Sequence, residues 1–332
     1  MTITRRKALE LLGAAAGAPA VAGAPTLIGA ARAQDAWPTA DIKTICPFPA
    51  GSGADVVVRF YAKVLQDAVG RTVIVENRPG AFGNIATEAI ARSKPDGYTV
   101  GIMASSAIAA APALYKTVPF DPVKDFDQVT TLMRVPWFLI VAADSPYKSV
   151  ADLTDFLKKQ GDKASYGSVA NSGLVSSELY KLKFGLPTVE VKYKDPFLML
   201  ADLYAGNIAF AHLDATTTIG AMKQGKMRLL ASSTKTRAKA FPDVPSAWEA
   251  GIDNCDLTGW WSIAMPKGTP QPIRDRLEKI YNDFVASPDH DKFMAQIGCE
   301  AFPGNHTSAA AALANEIKAW QEYVRVAKIE QI

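Results

Sequence analysis

The stretch from Pro47 to Asp55 reads Pro47, Phe48, Pro49, Ala50, Gly51, Ser52, Gly53, Ala54, Asp55, and it follows a short β-branched run at 42–46. The two prolines end a strand because neither can donate to a sheet. Gly51, Ser52 and Gly53 supply the turn, and Val57, Phe60, Tyr61, Val64 and Leu65 then recur at helical spacing, with Asp55 as the expected cap. A strand, a small-residue loop and a helix start leave main-chain N–H groups unpaired at the positive end of a helix dipole. Such a loop binds anions. It is not a P-loop, since Ala54 and Asp55 stand where Lys and Ser or Thr would be needed, and it lacks the third glycine of a dinucleotide fingerprint. On the loop alone, a carboxylate cradle and a βα turn without a ligand remain equal alternatives.

Other chemistry is sparse. The three histidines, His212, His290 and His306, fall in separate segments without metal-ligand spacing, so no metal or cofactor is expected. The three cysteines, Cys46, Cys255 and Cys299, are odd in number and far apart, which points to buried free thiols. Many serines on an α/β chain raise an exported hydrolase as an alternative, but there is no G-x-S-x-G elbow, and no catalytic residue is assigned. Ser105, Ser106 and Ser168 read better as hydrogen-bond donors to a ligand.

The elements around the loop alternate. Strands are expected at 72–75 and 98–103, separated by a second glycine-rich turn (Gly80, Ala81, Phe82, Gly83) and a helix over 84–92. The alternation implies parallel sheets, with the loops at Ser52, Phe82 and Ser105 on one edge. A second series follows. Strands are expected at 138–142, 164–168, 189–193, 208–212 and 228–232, helices start near Ser149 and after a small polar loop (Ala170, Asn171, Ser172), and a turn spans 214–218. A strand over 259–265 and helices over 272–285 and 308–326 complete the chain. Leu313, Ile317, Trp320 and Val324 trace the buried face of the last. Crossings near 137–142 and 257–264 would hinge two lobes, 34–140 plus 259–332 and 141–258.

Residues 1–33 read as an export signal, with Arg5, Arg6 and Lys7 at the head, an Ala/Gly/Leu-rich body and Ala31-Arg32-Ala33 as the cleavage site; the export route is left open. The whole chain carries a formal charge of +3, which belongs to that segment, because Arg5, Arg6, Lys7 and Arg32 oppose one acid there, Glu10. The remainder is formally neutral and has no electrostatic footprint for nucleic acid. A monomer is expected, since a clamshell must move freely to close.

The chain resembles the extracytoplasmic solute receptors of the tripartite tricarboxylate transporter family, the Bug-type periplasmic proteins. The resemblance rests on Pro47-Phe48 with Ala50-Gly51, Gly53, Asp55 and Arg59; on Val75-Glu76-Asn77-Arg78-Pro79-Gly80-Ala81 with Gly83; on Pro95-Asp96-Gly97-Tyr98; on Tyr166-Gly167-Ser168; on Tyr193-Lys194; and on Pro242-Asp243-Val244-Pro245. It implies an α/β, two-lobe periplasmic binding protein, a type II-like Venus flytrap with a mostly parallel, helix-flanked sheet in each lobe. It implies as well that the protein closes on a small dicarboxylate or aromatic carboxylate and delivers it to the membrane permease subunits of the transporter, or signals to a sensor instead. By the same resemblance the ligand contacts Phe48, Pro49, Ala50, Gly51, Ser52, Gly53 and Asp55 in the first loop and Ala81 and Phe82 in the second. Ser105, Ser106, Ser168, Ala170, Asn171, Ser172 and Asp214 complete the expected set. Departures from the family pattern include Ser52 and Phe82 where glycine is usual. Phe82 with Trp260 and Trp261 adds aromatic surface near the expected cleft, and Arg59, Lys192 and Lys194 are candidate countercharges for a distal anion.

Overall fold

The computed structural model describes residues 37–331, so the expected export signal lies outside the described residues. Residues 38–331 form one compact unit. Strand β1 (Ile42–Cys46) leads through the Pro47–Ser52 turn into helix α1 (Gly53–Val69). Ser52, not Asp55, is the cap: its Oγ accepts the Asp55 N–H at 3.2 Å. The helix buries Val57, Val58, Tyr61, Ala62 and Leu65 and ends at Gly70, whose φ of 65° suits a residue without a Cβ. β2 (Val73–Asn77) pairs with β1 in parallel, and a 3-10 turn (Ala81–Gly83) opens helix α2 (Asn84–Ala91). β3 (Gly101–Ala104) runs into two one-turn helices, α3 (Ser105–Ile108) and α4 (Ala111–Leu114).

The scaffold is organised by β4 (Phe126–Ala142), a 17-residue strand of which the sequence pattern shows only the last third. Its first part pairs with β9 (Thr258–Pro266) as far as Pro136↔Thr258. From Trp137 onward it pairs with β7 (Phe210–Asp214), and from Phe138 with β8 (Met227–Ser232). Proline sits at the changeover. Asp127, buried within the strand, is satisfied by Lys267 Nζ at 2.8 Å and the Gly268 N–H at 2.8 Å.

Between these strands lie α5 (Val150–Gln160), β5 (Ser165–Ser168), α6 (Asn171–Phe184), β6 (Val189–Lys192), α7 (Pro196–Tyr204) and α8 (Ala215–Lys223). β5 pairs in parallel with β6 and β7. The central strands β4 and β9, in contrast, are antiparallel to every neighbour. The sheets are therefore less parallel than expected, because the two strands that carry the chain across the molecule run against the βα units on either side. The expected turn at 214–218 is the first turn of α8, capped by Asp214.

Helices α9 (Gln271–Val285), α10 (Pro288–Ile297) and α11 (His306–Val326) close the chain, with the two-residue strand β10 (Glu300–Ala301) against β4. Leu313, Trp320 and Val324 are buried and Ile317 packs against the same core. An aromatic cluster fastens α9 and α10 to α1: Phe60 stacks on Phe293 with centroids 3.5 Å apart, and the Tyr61 hydroxyl meets His290 Nε2 at 2.9 Å.

Candidate functional site

The loops after β1, β2 and β3 converge with the starts of α6 and α8 on a cleft of about 650 Å³. Its first wall is the Pro47–Ala54 turn. Gly51 N–H donates to Asp55 Oδ2 at 2.9 Å and Ser52 N–H to the Pro49 carbonyl at 3.2 Å, so these two amides are spent internally. The N–H groups of Gly53 and Ala54, the first two of α1, donate to no acceptor among the described residues, and they stand at the positive end of the helix.

Asp55 is a strut behind this wall. Buried to 2 % exposure, it receives Asn77 Nδ2 at 2.7 Å and Arg59 Nε at 2.8 Å in addition to Gly51. Asn77 also donates to the Phe48 carbonyl at 2.9 Å, and Arg59 Nη2 to Asn77 Oδ1 at 2.8 Å. Burial pushes the Asp55 carboxyl up, but the hydrogen bonds from Arg59, Asn77 and Gly51 outweigh it and hold the group below the usual carboxylate range. One closed network thus ties both cleft loops together and carries Asp55 and Arg59 away from the cleft.

The floor and sides are aromatic. Trp137, Trp260 and Trp261 line the cleft with Phe48 and Phe82, and Trp261 lies 5.7 Å from Phe48 between ring centroids. The Trp137 indole fits between two glycines: a Cβ at Gly259 would stand 3.2 Å from its Nε1, and one at Gly173 3.4 Å from its ring. Trp260 turns its Nε1–H outward to Glu316 at 3.2 Å. Burial raises the pKa of Glu316 although Trp260, Trp320 and Ser105 all donate to it.

The opposite wall comes from β6, α7 and α8. The Asp214 carboxylate caps α8, receiving the Thr217 N–H at 3.0 Å, Thr217 Oγ1 at 2.9 Å and the Thr216 hydroxyl. Both of its oxygens are therefore engaged by donors of its own helix. Lys192 pairs with Glu190 at 3.7 Å, whereas Lys194, exposed at the rim, has no carboxylate partner among the described residues. Those three are the charged residues of the lining. Tyr193 commits its hydroxyl to Asp202 at 2.6 Å. Across the cleft the two helix starts nearly touch: a Cβ on Gly53 would lie 2.7 Å from the Thr216 backbone.

Of the residues singled out in the sequence, Phe48, Pro49, Ser52, Ala81, Phe82, Ser105, Ser106, Ala170 and Asp214 line the cleft. Ala50 and Gly51 lie exposed on the outer side of the turn; Gly53 offers its N–H behind the lining, and Asp55 is the strut. The Ser105 hydroxyl accepts the Trp260 N–H at 3.2 Å and serves Glu316, and Ser168 donates to Glu190 at 2.5 Å, so neither is free for a ligand. Asn171 and Ser172 are buried at the start of α6, outside the lining. The sequence reading missed Trp137, Thr216 and Thr217, which are far from the glycine loops in the chain and carry no local signal. A buried Ser–His contact exists, Ser177 Oγ to His212 Nδ1 at 2.9 Å, but both residues lie away from the cleft, and burial pushes the His212 pKa down to about 3. That pair is core.

The model of the tripartite tricarboxylate transporter family receptor matches residues 57–329. The chain is 30 % identical over 302 residues to an Agrobacterium vitis protein known by its place in the TAR-I ttuE-ttuC' intergenic region, covering 90 % of this chain and 86 % of that one. Among solved structures it is similar to R. palustris Rpa4515 with adipate, at a TM-score of 0.84 and 30 % identity over 89 % of this chain and 100 % of that one. It is similar also to the periplasmic binding protein BugD, at a TM-score of 0.83 and 28 % identity over 89 % and 100 %. The fold is that of the α/β periplasmic binding proteins.

Proposed function

The chain belongs to the tripartite tricarboxylate transporter family of receptors, a family of binding proteins rather than enzymes, and on that footing we propose that it captures a small organic dicarboxylate or aromatic carboxylate and delivers it to the permease subunits of such a transporter. The observation that carries this is the pair of unspent N–H groups at the start of α1, Ala54 in the lining of the cleft and Gly53 just behind it, opposite an acid whose oxygens already cap a helix. One carboxylate would accept from these amides. A helix N-terminus contributes about 0.3–1 kcal/mol to such an anion at an exposed site and up to about 2 when partly buried. The ligand body would lie on Trp137, Trp261 and Phe48, and a second anionic group would face Lys194.

Adipate, present in the R. palustris relative, has this architecture, with two carboxylates on an apolar chain. In the proposed working cycle two lobes close about the point where β4 changes partner, Pro136–Trp137, and the point where β9 begins, Leu257–Thr258. Residues 1–33 direct export to the periplasm, and the mature protein begins near Gln34. Calorimetry of purified protein against linear dicarboxylates, aromatic acids and neutral isosteres tests the reading. Saturable binding of a carboxylate but not of its amide is expected, and a broad carboxylate panel without binding refutes it.

A further inference from the structure

A smaller chamber of about 210 Å³ adjoins the cleft, and Phe82 and Lys192 line both. The backbone that carries Phe82 is unusual. Its φ of 50° and ψ of 33° are left-handed, and Ala81 before it has φ of 46°. A bulky L-residue stays there only where its surroundings hold it. They do: the Gly83 N–H bonds the Gly80 carbonyl at 2.9 Å, and the Tyr115 hydroxyl donates to the Ala81 carbonyl at 3.3 Å. The strained turn fixes the ring as the partition between the two spaces.

The chamber differs in chemistry from the cleft. Asn171, 2 % exposed, donates Nδ2 to the Ser106 carbonyl at 3.3 Å, and its Oδ1 receives no donor among the described residues. Glu178, which lines the chamber, takes the Tyr166 hydroxyl at 2.5 Å and Lys181 Nζ at 2.7 Å on the same carboxylate oxygen. Glu190 lines it too, countered by Lys192 at 3.7 Å. A buried, unpaired carbonyl oxygen beside two carboxylates asks for hydrogen-bond donors and repels a carboxylate.

We propose that Phe82 is the specificity-determining side chain of the cleft: its ring walls off an acceptor-rich subsite suited to an ammonium group, so that ligands with a cation at the far end are excluded. This rests on the reading that one ligand carboxylate docks at α1. The test is calorimetry with linear dicarboxylates from succinate to suberate and the ω-amino analogue of each, on wild type, Phe82→Ala and Phe82→Gly. Glycine suits the left-handed turn, so the second variant keeps the loop folded if alanine does not. The expected result is a wild type that prefers dicarboxylates, and variants whose affinity for at least one ω-amino analogue rises about tenfold, equivalent to about 1.4 kcal/mol. Adding Glu190→Gln should remove that gain. An unchanged ratio of ω-amino to dicarboxylate affinity in both variants overturns the inference and leaves the receptor reading standing. A wild type that binds no carboxylate at all overturns both.

Discussion

Gly53→Ala separates a ligand-driven closure from a fixed contact. Glycine-to-alanine exchange within a helix ordinarily gains up to about 1 kcal/mol. At this position the new methyl would stand 2.7 Å from both the carbonyl carbon and oxygen of Thr216 and 2.8 Å from its Oγ1. Thr216 cannot retreat locally, because Asp214 holds its hydroxyl and the next N–H in the α8 cap. The starts of α1 and α8 must therefore separate until 2.7 Å becomes the 3.4 Å at which ordinary contact begins. Overpacking of this kind costs about 1–3 kcal/mol. If the two walls are lobes that part without ligand, the open state escapes the cost. The dissociation constant for the bound carboxylate should then rise about 5- to 150-fold, while the thermal midpoint of ligand-free protein is unchanged or raised by the helix gain. Titration calorimetry and scanning calorimetry read the two quantities independently. Wild-type affinity in Gly53→Ala refutes the argument, and a lowered midpoint with affinity intact shows that the contact is permanent.

Asp55→Asn should cost about 1–3 kcal/mol at neutral pH in urea unfolding and weaken ligand binding through the loosened Gly51 turn. The wild-type carboxyl is depressed in the folded state, so its stabilisation is present above the unfolded value near 4 and is lost as pH falls through the lower folded value; the difference from the variant should shrink over that window. His212, pushed down to about 3 by burial, stays neutral in the folded protein while the unfolded chain takes up a proton below about 6.5. Stability should therefore fall by at most about 1.4 kcal/mol per pH unit from this group as pH drops toward 3, and His212→Gln should lose that component of the slope. The three cysteines are free and buried, with burial pushing the Cys46 and Cys255 thiols up to about 12, so a thiol reagent should leave native protein unlabelled and modify all three after unfolding. Rapid labelling of the native protein would contradict the packing around β1.

What the sequence disclosed and what it hid divide along a physical line. β1, the Gly51–Gly53 turn and α1 were legible because each depends on neighbours in the chain, a β-branched run, two prolines and a helical apolar stripe, although the cap proved to be Ser52 and not Asp55. The first two thirds of β4 were not, because Pro136 cannot donate to a sheet, and Asp127 and Arg134 contradict a strand until Lys267, Gly268 and Phe302 arrive from far along the chain to pair them. α8 hid for a related reason, since three consecutive threonines favour a turn unless Asp214 caps them. The site repeats the division. Glycines and a helix start announce amides that an anion can use, whatever the side chains are. The serines and Asp214 carried no such message, for a hydroxyl or carboxylate in a loop does not reveal which partner will claim it, and Trp260, Glu316, Glu190 and the α8 cap claimed them. The loop alone thus leaves a carboxylate cradle and an empty turn open, whereas Trp137, Trp261, Phe82 and Lys194, to which the proposed reading gives the discrimination among carboxylates, come from four separate segments that only the fold brings together. Substitutions at those four positions should therefore reorder ligand preference, whereas substitutions at the α1 loop should weaken all carboxylates alike.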